Sequence, residues 1–207
     1  MAQYFAIHPT HPQSRLIAQV AALVRDGGVI AYPTDSSYAL GCHLGDRDAV
    51  ARIRRLRDID ERHPLTLVCR DLSEIARFAR IDDWQFRLLK RGTPGGYTFL
   101  LPATREVPRR LLNAKRRTIG IRVPDHPIAL ALLAELDEPL LSSTLIPAGE
   151  TEPMHDPEAI GERYEHELEA VVDGGACDGR PSTVIDLTDE SPRVTRLGRG
   201  DPSRLGL

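Results

Sequence analysis

The sequence predicts a single α/β domain built on a twisted mixed β-sheet with flanking helices. Short segments with the apolar runs or the alternation of β-strands take turns with segments of helical periodicity along the chain. Helices of about 10–15 residues between strands are typical of α/β sheets. The many strands beside few long helices favour a mixed sheet over a purely parallel one.

The first two predicted helices have an apolar face, the last is acidic, and several have a recognisable first or last residue. The first begins near Pro12, places Leu16 and Val20 on one face, and ends at Gly27-Gly28. Asp46 is a suitable capping residue for the second, and a proline begins the fifth. The predicted helices cover residues 12–26, 46–57, 71–78, 83–91, 127–136 and 157–169.

The predicted strands are short and rich in apolar and β-branched residues. They cover residues 4–8, 29–32, 40–44, 65–69, 97–101, 118–123, 139–143, 170–173, 183–187 and 193–197. We expect one domain over residues 1–207, with its core at about 10–198, because no repeat or low-complexity linker divides the chain. The proline- and acid-rich stretch 147–157 predicts a mobile loop, and residues 199–207 predict a loose tail.

The composition limits the class of protein. With 207 residues, 41% of them hydrophobic, the chain can bury a packed core, which excludes wholesale disorder. No apolar run approaches the roughly 20 residues of a membrane span, and the first residues lack the pattern of a signal peptide. The three cysteines are far apart and predict neither a zinc site nor a disulfide framework. We therefore expect a cytoplasmic protein with no membrane partner.

The charges are unevenly distributed, although the net charge is only −3. Residues 47–117 contain 18 Lys or Arg against 9 Asp or Glu, whereas residues 148–190 contain 2 against 13. Such a basic segment can form a surface for a polyanion. It can equally pair with the acidic segment across the fold or lie on solvated helix faces, and the charge pattern alone does not decide between these interpretations.

Polar side chains gather at the predicted strand ends, although the standard signatures of phosphate-binding loops, serine hydrolases and zinc proteases are absent. The stretch from Tyr32 to Gly41 follows a buried strand and contains Thr34 and Asp35. Strand ends are where α/β sheets bind ligands, but a turn with self-satisfied side chains is the more ordinary interpretation of these residues. The seven histidines have no metal-ligand spacing, and we interpret them as surface or packing residues.

Arginines and hydroxyls mark the other strand ends. Arg55 and Arg57 end a predicted helix, where they either complement its dipole or clamp a phosphate or carboxylate. Arg122 lies inside an apolar strand, so its charge needs Asp125, another acid, or an anionic ligand. Hydroxyls at residues 142–144 and 182–183 are either ordinary strand residues or donors to an anion. Together these residues favour adenylyl or carbamoyl chemistry driven by positioning and electrostatics, and no nucleophile beside a base is recognisable.

The same stretches resemble the YrdC/YciO family, in order and over nearly the whole chain. The matching residues are Pro33-Thr34-Asp35 with Tyr38, Leu40 and Gly41, then Pro64 to Leu67, Thr93-Pro94-Gly95 with Thr98, Arg122-Val123-Pro124 with His126-Pro127, Ser142, Pro181 to Asp186, and Arg196 with Gly198. Each piece alone is weak, but the ordered set is specific. The stretches PTDS-x-YALGC, CRDLSE and TIG-x-RVP resemble the YciO branch more than the YrdC branch.

The resemblance implies a fold like that of YrdC and RibB, with a concave, positively charged surface. The YrdC branch makes threonylcarbamoyl-AMP from L-threonine, bicarbonate and ATP, the first step toward threonylcarbamoyladenosine in tRNA, and family members bind double-stranded RNA or tRNA. The implied ligands are thus a small amino acid and a nucleotide, with ATP as substrate and Mg²⁺ held through the phosphates. The residues implied to hold threonine are Thr34, Tyr38, Arg122, Ser182 and Thr183. Those implied to contact the nucleotide are Arg55, Arg57, Ser142, Thr144 and Arg196.

Two departures from the YrdC pattern bear on catalysis. The Lys-x-Arg pair of that branch is matched by Arg55-Leu56-Arg57 and a loop about two residues longer, whereas a match without the gap aligns Arg57 alone. The Asn of its Ser-x-Asn motif is matched by Ile146, which can neither donate nor accept a hydrogen bond. Loss of an oriented polar group costs about 10²–10³-fold in rate. We therefore expect a weak or divergent synthase, with an RNA-binding protein without turnover and a ligand-binding regulator as the alternatives.

Overall fold

Ten strands form one twisted sheet in the computed structural model, which describes residues 1–112 and 116–207. The strands are β1 Gln3–Ala6, β2 Ile30–Tyr32, β3 Ala39–His43, β4 Thr66–Val68, β5 Tyr97–Pro102, β6 Thr118–Arg122, β7 Leu140–Thr144, β8 Ala170–Asp173, β9 Thr183–Asp186 and β10 Arg193–Arg196. The α-helices are α1 Ser14–Arg25, α2 Arg47–Arg57, α3 Leu72–Phe78, α4 Asp83–Gly92, α5 Pro127–Leu136 and α6 Pro157–Tyr164, with short 3-10 helices at Arg109–Leu111 and Pro202–Leu205.

The strand order across the sheet is β1-β8-β2-β3-β7-β4-β6-β5-β9-β10. The pairs β1–β8, β8–β2, β4–β6 and β5–β9 are parallel, and the other neighbours are antiparallel. This arrangement confirms the predicted mixed α/β sheet.

Side-chain caps explain where several helices begin. The Asp46 carboxylate accepts hydrogen bonds from the N–H groups of Asp48 and Ala49 at the start of α2, both at 2.9 Å. At the start of α3, Asp71 accepts from the N–H of Glu74 at 2.8 Å. Each bond satisfies a donor that the first helical turn leaves without an intrahelical partner.

The two faces of the sheet are covered to different extents. On one face, α2, α3 and α4 pack on the sheet through a large core that includes Ile53, Ile75, Leu89, Phe99 and Ile121. On the other face, α1 and α5 pack mainly against β1, β8, β2 and β3 in a second cluster. That cluster contains no residue of β5, β6 or β9, so the sheet surface around these strands stays open to a ligand.

Helix α6 ends at Tyr164, earlier than the predicted end at residue 169. The reason is the side chain of Glu169, which accepts a hydrogen bond from the Val29 N–H at 2.6 Å and pairs with Arg52 at 2.9 Å. These contacts draw the chain toward the sheet and into β8, and a longer helix is incompatible with them.

The last residues are docked on the fold, which corrects the predicted loose tail at residues 199–207. Leu205 is buried in the large core. The Tyr97 hydroxyl donates to the carbonyl oxygen of Asp201 at 2.8 Å, and the Thr183 hydroxyl donates to that of Gly200 at 2.5 Å. A buried leucine and two hydrogen bonds of this kind outweigh the polar composition that predicted a tail.

The stretch 147–157 is partly tied to the sheet. The Met154 N–H donates to the Leu145 carbonyl at 2.8 Å, and the Tyr38 N–H donates to the Met154 carbonyl at 3.2 Å. Residues 148–152 are exposed, and mobility there stays a prediction. No helix in the described ranges is both long and apolar enough to cross a membrane.

Candidate functional site

A cavity of about 250 Å³ lies over the open part of the sheet, slightly below the range of roughly 300–1,000 Å³ for small-molecule sites. Neighbouring strands contribute residues two apart, because side chains on a strand alternate between faces. The floor is formed by Thr66, Val68, Thr98, Leu100, Gly120, Arg122, Ser142, Thr144, Ser182 and Val184. Around it lie Tyr32, Thr34, Ser37, Ala39, Arg57, His63, Pro64, Ser143, Ile146 and Arg196.

Arg122 is buried at the floor and is paired with Asp35. Their side chains are 10% and 6% exposed, and Arg122 Nη2 lies 2.6 Å from Asp35 Oδ1. The same carboxylate oxygen accepts from the backbone N–H of Asp125 at 3.2 Å. The strand arginine therefore has the acidic partner that its burial demands, and the partner is Asp35, with Asp125 supplying only its backbone.

Arg57 and Arg196 lie at the cavity without a carboxylate within 4.0 Å among the described residues. Arg57 donates to the Ser143 hydroxyl at 3.2 Å and to the Ile146 carbonyl, and Arg196 donates to the Ser182 carbonyl at 2.8 Å. Burial lowers the pKa of both guanidinium groups. Arg57 is half-buried and Arg196 is exposed at the rim. Two cations held by neutral acceptors at one cavity favour an anionic ligand.

Several cavity hydroxyls already have partners. Thr34 donates to the Ser37 carbonyl at 2.7 Å and accepts from the Ser36 N–H at 3.1 Å, which is the self-satisfied turn that its sequence also allowed. Ser142 donates to the Leu40 carbonyl at 2.9 Å, and the Tyr32 hydroxyl donates to Ser142 Oγ at 2.9 Å. Thr34 Oγ1 also accepts from the Ser37 N–H at 3.3 Å, so this hydroxyl is fully used in its turn. The Ser142 and Tyr32 hydroxyls fix the cavity wall and each retains an acceptor site for a ligand.

The remaining hydroxyl pair lies at the opposite side of the floor. Ser182 Oγ and Thr98 Oγ1 are 2.7 Å apart.

Burial raises the pKa of the Tyr32 hydroxyl to about 12, so this group is a neutral donor at neutral pH.

The structure brings together seven of the ten residues implied by the resemblance, namely Thr34, Arg122, Ser182, Arg57, Ser142, Thr144 and Arg196. Tyr38, Thr183 and Arg55 lie outside the lining. Tyr38 is buried on the opposite side of the strand from Ala39 and donates to the Gly175 carbonyl at 3.0 Å. Thr183 alternates with Ser182, and Arg55 is exposed because residues two apart on a helix point in different directions.

His63 was missed by the sequence interpretation of the histidines as surface or packing residues. It lines the cavity on the loop after α2, where Arg54 donates to its carbonyl at 3.3 Å. Partial burial, together with Arg57 and Arg54, lowers its pKa. Its place directly before Pro64, where the stretch that matches the family signature begins, was the available signal.

Part of the uneven charge is neutralised within the fold. Arg52 of the basic segment pairs with Glu169 of the acidic segment at 2.9 Å, and Arg116 pairs with Asp186 at 3.4 Å. These pairs support the interpretation in which the segments compensate each other. In the part of the chain that the structure describes, no group of three or more His, Cys, Asp or Glu residues is arranged to hold a metal ion.

Comparison with known proteins gives the cavity its context. The Sua5/YciO/YrdC family model, described as telomere recombination, matches residues 22–198. The chain is 53% identical to YciO of Escherichia coli strain K12 over 201 residues, which are 97% of this chain and 98% of that protein. The crystal structure of E. coli YciO matches it with a TM-score of 0.96 at 52% identity, covering 99% of this chain and 100% of that one.

The chain is also similar to enzymes that are named for the reaction they catalyse. Threonylcarbamoyl-AMP synthase of Bacillus subtilis strain 168 is 32% identical over 184 residues, which are 88% of this chain and 53% of that protein. The crystal structure of P. abyssi Sua5 complexed with L-threonine matches with a TM-score of 0.87 at 28% identity, covering 94% of this chain and 57% of that one. The chain thus spans just over half the length of these two proteins.

Proposed function

The chain belongs to the Sua5/YciO/YrdC family, and we propose that it binds L-threonine and ATP in this cavity and forms threonylcarbamoyl-AMP slowly. In the proposed reaction L-threonine, bicarbonate and ATP give threonylcarbamoyl-AMP, diphosphate and water. The family contains threonylcarbamoyl-AMP synthases that are 32–34% identical to the chain, which supports this reaction over another nucleotide chemistry.

The observation that carries the proposal is the set of three arginines at one cavity, of which only Arg122 has a carboxylate partner among the described residues. Arg122, on the cavity floor, is assigned to the carboxylate of the amino acid, beside Thr34 and Ser182. Arg57 and Arg196 are assigned to the phosphates, because uncompensated guanidinium groups bind phosphate oxygens in a fork geometry. Mg²⁺ is expected on the phosphates, since it usually needs few protein ligands.

Ile146 accounts for the slow rate. Ile146 lines the cavity at the position where the YrdC branch has an asparagine, and its carbonyl accepts a hydrogen bond from Arg57. The side chain offers no donor to the charge that develops during nucleotidyl transfer. A missing donor of this kind lowers the rate about 10²–10³-fold.

The test is a turnover assay with ATP, bicarbonate and L-threonine that follows diphosphate and the threonylcarbamoyl product. We expect slow product formation by the natural protein, none by Arg122→Ala, and an increase of about 10²-fold in Ile146→Asn. Ile146→Val is the matched control, because it changes the size of the side chain without adding a polar group, and its rate should stay close to that of the natural protein.

Absence of product in both the natural protein and Ile146→Asn would overturn the synthase proposal. The next measurement would then be binding of double-stranded RNA and tRNA at several salt concentrations, since phosphate contacts by the basic segment 47–117 make affinity fall steeply with salt.

A further inference from the structure

The buried ion pair between Arg122 and Asp35 at the cavity floor has one hydrogen bond, whereas an arginine and an aspartate can form two. Arg122 donates through Nη2 to Asp35 Oδ1 at 2.6 Å. Arg122 Nε and Asp35 Oδ2 are buried and have no hydrogen-bond partner among the described residues. Since a guanidinium has five N–H donors, a single contact with Asp35 fixes the group and leaves donors for a second acceptor in the cavity.

Asp35 is itself held in place. Its Oδ1 accepts from the backbone N–H of Asp125, just beyond the end of β6, at 3.2 Å. The residue before it, Thr34, lines the cavity and is fixed by its own turn. One carboxylate therefore joins the loop after β2 to the end of β6, and it sets the relative position of Thr34 and Arg122.

Asp35 does not line the cavity, so its effect on a ligand passes through Arg122. Two effects of opposite sign are possible. As a negative charge close to Arg122, Asp35 weakens the attraction of that arginine for another anion. As a partner that fixes the guanidinium, it strengthens binding, because the group is already oriented when the ligand arrives.

We propose that orientation dominates, and that Asp35 is a positioning residue which holds the Arg122 guanidinium ready for the carboxylate of the amino-acid substrate. The assignment of that substrate rests on the proposed function. The two effects predict opposite results for Asp35→Asn, which keeps the shape of the side chain and removes its charge.

The test is calorimetric titration of L-threonine into the natural protein, Asp35→Asn and Asp125→Asn. We expect affinity to fall about tenfold or more in Asp35→Asn, the size of a charge-assisted hydrogen bond. Asp125→Asn is the matched control, because it removes a nearby exposed charge whose carboxylate takes no part in the pair, and its affinity should stay within about twofold. Unchanged or tighter binding in Asp35→Asn would overturn the proposal.

A ligand-free measurement separates this proposal from the proposed function. In nitrogen-15 NMR spectra, a fixed Arg122 guanidinium should show separate Nη proton signals, and these should merge in Asp35→Asn as the group begins to rotate. If the natural protein does not bind L-threonine, the proposed function fails, and these spectra alone decide the positioning role. Merged signals in the natural protein would contradict that role, even if Asp35→Asn did not fold.

Discussion

Arg122 and the pair Arg57 and Arg196 lie at the same cavity but in opposite electrostatic situations. Arg122 is buried beside the carboxylate of Asp35, so the pair has no net charge. Arg57 and Arg196 are held by carbonyl and hydroxyl oxygens, so their charges are not compensated by the described residues. The difference indicates that Arg122 gives a ligand a fixed, oriented set of donors, whereas Arg57 and Arg196 give it positive charge. It also indicates that losing either member of the Arg122–Asp35 pair destabilises the fold.

The largest expected effect is on stability. Arg122→Ala leaves the Asp35 carboxylate buried without its cation, and loss of one partner of a buried pair costs about 3–5 kcal/mol of unfolding free energy. Urea denaturation measures this loss. The double variant Asp35→Asn with Arg122→Ala removes the stranded charge and should recover part of the stability. If the double variant were no more stable than Arg122→Ala, the pair would not be compensating buried charge.

The second effect falls on ligand affinity and separates the two kinds of arginine. Arg57→Ala and Arg196→Ala should each lower ATP affinity about 10–100-fold while changing the free energy of unfolding by less than about 1.5 kcal/mol. Arg87→Ala, an exposed change on α4, is the charge-matched control and should leave the affinity unchanged. Titration at several salt concentrations tests this, and equal affinities in all three variants would contradict the assignment of the phosphates.

The alternation of strands and helices was readable from the sequence because it rests on local periodicity. The need of Arg122 for a negative partner, an acidic side chain or an anionic ligand, was equally predictable, since it follows from the cost of a charge in an apolar strand. The identity of that partner was not predictable, because Asp35 is far from Arg122 in the chain. Only the order of the strands in the sheet brings the end of β2 and the end of β6 to one cavity.

The side on which a residue projects was the least predictable property. The resemblance implied both Arg55 and Arg57, yet α2 directs only Arg57 to the cavity. The early end of α6 also depends on a distant contact, between Glu169 and the Val29 N–H. Such features are set by tertiary packing, which a pattern along the chain does not contain.

The smallest expected effect concerns His63, which lies at the cavity with the two uncompensated arginines. Its pKa is lowered below the usual 6.5 by partial burial and by Arg57, Arg54 and Arg196, while Asp60 opposes them. The imidazole is therefore mainly neutral at pH 7.

A bound phosphate favours the protonated form of His63. ATP affinity should therefore rise about two- to fivefold as pH falls through the pKa of His63, relative to His63→Gln measured in parallel. Because both proteins experience the same protonation of ATP, the ratio of their affinities isolates the histidine. A ratio that stays constant from pH 8 to well below pH 6.5 would place His63 outside the reach of the phosphates and leave Arg57 and Arg196 as their partners.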